Sequence, residues 1–115
     1  MTDAPNGDLL DRIAEDFADD RDVAMGTMFR SPGLRVGGKI FAFLGHGGEL
    51  IVKVPSDRVR DLVAAGQAEQ VVMGKRTMRE WVELPALGDR TATLALWREV
   101  AREAHQYVDS LRRLG

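Results

Sequence analysis

The run from Met28 to Val54, MFRSPGLRVGGKIFAFLGHGGELIVKV, holds the densest alternation of strand-forming residues and glycine turns in the chain. It predicts a three-stranded antiparallel meander. Gly37-Gly38, between Leu34-Arg35-Val36 and Lys39-Ile40-Phe41, is a two-residue hairpin signal, because a type I′ turn needs positive φ at both central positions and glycine takes it without Cβ strain. A second turn follows at Gly45-His46-Gly47-Gly48. A two-residue turn opposes Val36 to Lys39 and Leu34 to Phe41, and a four-residue loop opposes Leu44 to Glu49 and Phe41 to Val52. One face then carries Leu34, Val36, Phe41, Phe43, Leu50, Val52 and Val54, with Lys39 at its edge, and is the expected core face. The other carries Arg35, Ile40, Ala42, Leu44, Glu49, Ile51 and Lys53, an apolar centre rimmed by charge. That pattern is unusual for a simply solvated face. It suits either a contact surface for a protein partner or second copy, or a layer buried by a helix on that side.

Outside the meander, Leu9, Leu10, Ile13 and Phe17 recur at helical spacing and predict a helix over 9–18, with Asp8 as its cap. Val23, Met25 and Thr27 alternate like a strand over 22–29, and Ser31-Pro32-Gly33 reads as a connector. Beyond Val54 the period changes. Val59, Leu62 and Val63 mark a short helix over 57–65, capped by Ser56 and stopped by Gly66. Val71-Val72 is a short apolar pair, Gly74-Lys75-Arg76 a basic turn, and 78–84 a strand with Trp81 and Val82 on opposite faces. Leu94, Trp97, Val100, Ala101, Ala104, Tyr107, Val108 and Leu111 mark the longest helix, over 91–113. The expectation is an α+β fold, with an antiparallel meander sheet of about five strands and N-terminal, central and long C-terminal helices. Residues 1–115 read as one domain, long enough to bury a core without staples.

Composition narrows the functional classes. The chain has no cysteine, which excludes disulfides, thiolate metal sites and cysteine nucleophiles and suits a reducing compartment. No apolar run approaches the roughly 18 residues of a membrane span, and the acidic start lacks the basic and apolar regions of a signal peptide. A cytoplasmic, non-membrane protein is expected. The net charge of −2 hides an asymmetry, since residues 1–22 carry eight acids against two arginines. The surplus of bases lies between Met28 and Arg79, nine against four. This local surplus makes Arg30, Arg35, Lys39, Lys53, Lys75 and Arg76 the candidate contacts for a nucleic acid.

The chemical motifs have plainer readings. Gly33 to Lys39 has the glycine and lysine spacing of a phosphate-binding loop, but Ile40 stands where its Ser or Thr belongs, and a strand rather than a helix follows. His46 and Glu49 are two metal ligands without a third, and His105 is spaced to pair with Asp109 across one helical turn. Ser31 and Ser56 read as turn and cap, and Trp81 and Trp97 as core residues. No catalytic residue, cofactor site or metal site is assigned.

The run Met28-Phe29, Gly33-Leu34-Arg35-Val36-Gly37-Gly38-Lys39-Ile40-Phe41-Ala42 and Leu50-Ile51-Val52-Lys53-Val54, with Met78 and Trp81-Val82 downstream, resembles the N-terminal domain of the TfoX/Sxy competence regulators. It is similar also to the related MmcQ/YjbR domains. The resemblance spans about Met28 to Leu84, and glycine and apolar positions carry it. It implies an antiparallel meander with helices on one face, in a family without established catalytic residues or cofactor. The functional expectation is a small non-catalytic interaction or regulatory module, with a nucleic-acid-binding accessory domain as the alternative and an enzyme third.

Overall fold

The computed structural model describes residues 6–28 and 31–114. Along the chain lie α1 (Gly7–Glu15), β1 (Val23–Met28), β2 (Ser31–Val36), β3 (Lys39–Leu44), β4 (Leu50–Lys53), α2 (Ser56–Ala64), β5 (Glu69–Met73), β6 (Arg76–Leu84) and α3 (Arg90–Leu114). The fold is α+β. Its sheet is antiparallel and six-stranded, in the order β1-β2-β3-β4-β6-β5. Val71-Val72 extends into β5 and pairs with β6, which makes the sixth strand. Ser31-Pro32-Gly33 belongs to β2 rather than to a connector. Proline is tolerated there because pairing with β3 stops at Gly33, leaving Pro32 a neighbour only in β1.

Local chemistry sets the element ends. Gly37 and Gly38 have φ of 58° and 84°, so the first hairpin is the tight turn that the sequence predicts. At the end of α2, Gly66 has φ 74°, its N–H donates to Val63 O and that of Gln67 to Leu62 O, which satisfies the last carbonyls. Asp89 caps α3 by accepting the Thr91 N–H at 3.1 Å. The helix caps expected of Asp8 and Ser56 are not made. Asn6 and Pro55 precede those helices, and the Asn6 amide instead donates to Gly48 O at 2.8 Å, tying α1 to the β3–β4 loop.

The meander departs from simple alternation at one point. Val36 faces Lys39 and Arg35 faces Ile40, but Leu34 faces Ala42, so Phe41 is an extra residue in β3. A bulge of this kind sets two consecutive side chains on one face. Phe41 and Ala42 are both fully buried, and beyond them the pleat of β3 is inverted: Leu44 points into the core and Phe43 out of it. The β3–β4 loop is also one residue longer than expected, since Leu44 pairs with Leu50 and Gly45 N donates to Glu49 O. The two increments cancel on β4, where Leu50 and Val52 face the core as predicted. Gly33 is required beside the bulge, because a Cβ there would stand 2.8 Å from Phe43 Cβ and 3.0 Å from Ala42 O.

All three helices lie against one sheet face. There Leu34, Val36, Ala42, Leu44, Leu50, Val52, Val82 and Leu84 form one buried cluster with Leu10 and Ile13 of α1, Val59 and Leu62 of α2, and Trp97, Val100, Ala101 and Ala104 of α3. Phe41 closes the end near α1. Its ring meets Phe17 edge-on at 5.5 Å and His105 at 5.4 Å. His105 does not pair with Asp109 as expected: its Nε2 lies 2.9 Å from Asp20 Oδ2, while Asp109 holds Arg112 and Arg113.

Replacing Phe41 with alanine removes this aromatic junction and leaves a cavity beneath α3, so Phe41→Ala is expected to cost about 3–5 kcal/mol in urea titration. Gly33→Ala should also destabilise, through the clash with the β3 backbone rather than through φ. A crystal structure of that variant should show β2 and β3 spread apart beside Ala42.

Candidate contact surface

The pairing register fixes what the uncovered side of the sheet presents. Gly33, Phe43, Ile51 and Glu83 stand in one row across β2, β3, β4 and β6, and Lys53 stands beside Trp81 in the next. Two residues expected on this surface are not part of it: Ala42 and Leu44 are fully buried under the helices, because the bulge turns them inward. Phe43 takes their place. Its ring meets Trp81 at 5.8 Å and 63°, so Trp81, expected in the core, belongs to the open face, whereas Trp97 is fully buried. Arg35, Ile40, Glu49, Ile51 and Lys53 are half-buried, as edges of a surface in use by its own neighbours.

A groove of about 750 Å³ opens on this face, walled by Phe43, Ile51, Val71, Met73, Met78 and Trp81. The far wall exists because β6 carries three residues without partners in β5. Gln70 pairs with Val82, yet Val71 already pairs with Met78. Arg79, Glu80 and Trp81 therefore bow out of the ladder. The Gln70 side-chain amide bridges the gap, donating to Met78 O at 2.6 Å and Trp81 O at 3.0 Å. Carbonyls that would lack a ladder partner are thereby satisfied. Beyond the gap the hairpin tip exposes Val72 and Met73, at 57% and 55%.

Charge is divided between the two ends of the face. Glu49 and Glu83 line the groove, and Glu69 stands opposite Glu83 in the ladder. Among the described residues none of the three takes part in an ion pair. Burial, with repulsion from Glu49 and Glu69, holds the Glu83 carboxyl above the usual carboxylate range. On the other side of Trp81 a smaller hollow is lined by Lys53, Ser56, Arg76 and Arg79. There the Lys53 ammonium lies 6.0 Å from the Trp81 ring centroid and 3.9 Å from Glu80, whose carboxylate also accepts the Tyr107 hydroxyl. That bond, with burial, pushes the Tyr107 phenol up to about 12.

Of the basic residues read as nucleic-acid contacts, the fold gathers only Lys53 and Arg76 in this hollow. Arg35 lies on β2 and donates to Thr27 O at 3.2 Å, Lys39 stands at the first hairpin on the helix side of the sheet, and Lys75 is exposed at the β5–β6 turn. Arg30 lies outside the described residues. His46 is exposed in its loop, and among the described residues no three His, Asp or Glu groups could hold a metal ion. No helix among the described residues is long and apolar enough to cross a membrane. The aromatic and methionine half of the groove was missed from sequence because alternation placed Phe43 inside. The signal for it was Val71-Val72-Met73, an apolar run ending at a polar turn with nothing in sequence to cover it. Comparisons with models of known protein families, with curated proteins and with solved structures find no match for this chain.

The inverted pleat gives a sharp pair of expectations. Ile51→Arg, on the open face, should leave the thermal melt nearly unchanged, whereas Leu44→Arg places an unpaired charge in the core and should unfold the protein. Circular dichroism melts of both variants separate the faces. Glu83→Gln should raise the melting temperature at neutral pH. A carboxyl whose folded pKa is raised destabilises when ionised, and that cost disappears below its ordinary value of 4.5, so the gain should vanish in acid.

Proposed function

We propose that the protein is a small non-catalytic interaction module, of the regulatory kind that the resemblance to TfoX N-terminal and YjbR-like domains implies, and that the open sheet face is its contact surface. The observation that carries this reading is the one-sided helix layer. Among the described residues every helix lies on the inner face, and the outer face retains a concave aromatic and methionine surface with a charged rim, the anatomy of a protein contact. Exposed methionine and tryptophan side chains are enriched where partners dock, since methionine repacks readily and tryptophan covers much area with few rotors.

A nucleic-acid contact is the second reading, and it draws on the hollow where Lys53, Arg76 and Arg79 surround the edge of Trp81. Binding of that kind would fall steeply with salt, so fluorescence anisotropy with single- and double-stranded DNA at two salt concentrations tests it.

The principal reading is tested by photo-cross-linking in the native cell, with benzoylphenylalanine in place of Phe43 and, as control, in place of the exposed Arg102 on α3. Adducts should form from position 43, be absent from position 102, and disappear when Ile51→Arg is added. Equal adducts from both positions would show that the open face is not the contact surface.

A further inference from the structure

The groove and its rim together specify more than an apolar contact. Among the described residues eight of the lining side chains are hydrocarbon, aromatic or thioether, and the carboxylates lining it are Glu49 and Glu83, with Glu69 behind Glu83. Among the described residues no lysine or arginine lines it, although both stand close by on the other side of Trp81. Glu49 and Glu83, with Glu69 behind them, outnumber the His46 imidazole at this margin and give it acidic character. Among the described residues the Glu49 carboxylate accepts only a long bond from Gly47 N–H at 3.3 Å, which leaves most of its acceptor capacity unused. An occupant that brought a cation to this margin would relieve the repulsion among the three acids and would seat its apolar part on Phe43, Ile51 and Trp81.

We propose that the groove receives an extended segment of a partner protein in which one or two large apolar side chains are followed by a lysine or arginine. The inference rests on the open face being the contact surface and adds the partner's chemistry to it. The apolar side chains lie between the Phe43–Trp81 pair and the β5–β6 hairpin, and the basic side chain reaches Glu49 and Glu83. The groove volume, about 750 Å³, matches a few side chains rather than a whole domain face, so the recognised element is short. The flexible Met73 and Met78 allow the wall to close around side chains of differing shape.

Three probes that differ at one side chain test this: acetyl-Phe-Leu-Lys amide, the same tripeptide with norleucine in place of lysine, and the same with glutamate, each titrated into the isotopically labelled protein and followed by amide and methyl chemical shifts. The lysine form should perturb Ile51, Val71, Met78 and the Trp81 indole. The norleucine form should bind about tenfold more weakly, as the loss of one partly buried charge contact implies, and the glutamate form not detectably. In the Glu49→Gln, Glu83→Gln double variant the lysine and norleucine forms should bind alike. The proposal is overturned if all three probes bind the unaltered protein equally, if the glutamate form binds best, if none binds, or if the shifts map to the helix face. Each of those results leaves cross-linking from position 43 free to succeed or fail by itself, so the charge of the partner and the location of the contact are judged separately.

Discussion

The bulge at Phe41 is the constraint on which the other features depend. A regular β3 would send Ala42 and Leu44 to solvent and bring Phe43 inside, leaving α3 to pack on a different set of side chains. The extra residue instead delivers Phe41 and Ala42 side by side to the core and turns the rest of the strand over. Phe41 then meets Phe17 and His105, which joins the segment after α1 to α3, while Phe43 is released to meet Trp81 edge-on across β4. One irregularity thus supplies both the aromatic junction under the helices and the aromatic floor of the open face.

The second irregularity, in β6, acts on the other side of the sheet. Three residues without partners in β5 bend the β5–β6 hairpin out of the ladder, and Gln70 bridges the bend through the Met78 and Trp81 carbonyls. Without the bend the outer face would be a shallow sheet surface. With it, Val71, Met73 and Met78 become a wall. Lys53, held by Glu80 and the Trp81 ring, marks where the apolar floor ends and a basic hollow begins. Trp81 separates an acidic region from a basic one, so neither neutralises the other.

Much of this was legible in the sequence. Glycine pairs at turns, the change of period after Val54 and the apolar stripe of α3 gave the α+β class, the meander and the three helices, because each is a local signal. The inner faces of β2 and β4 also followed from alternation. What alternation could not reveal was where it breaks. Neither Phe41-Ala42 nor Arg79-Glu80-Trp81 contains a glycine or proline to announce a bulge, and a break of one residue exchanges every later side chain between faces. Hence unbroken alternation assigns Ala42 and Leu44 to the surface and Phe43 to the interior, whereas Trp81 is expected inside for another reason, the general tendency of large aromatics to be buried. His105 was misjudged for a related reason: its partner Asp20 is remote in sequence, and only packing brings α3 beside the turn after α1.

The one-sided placement of the helices has a consequence for how such a protein can change over time. Residues that decide whether it folds and residues that meet the outside lie on opposite sides of the same strands. A substitution at Ile51 or Glu83 has few neighbours in the core to disturb, whereas one at Val52 or Val82, a single position away from the open face, disturbs the whole helix layer. Along β4 and the stretch of β6 from Trp81 to Leu84, tolerance to replacement should therefore oscillate with a period of two. Lineages that share this architecture are free to rewrite what they bind while leaving the alternate positions untouched, and their kinship would then be written in every second residue of these strands.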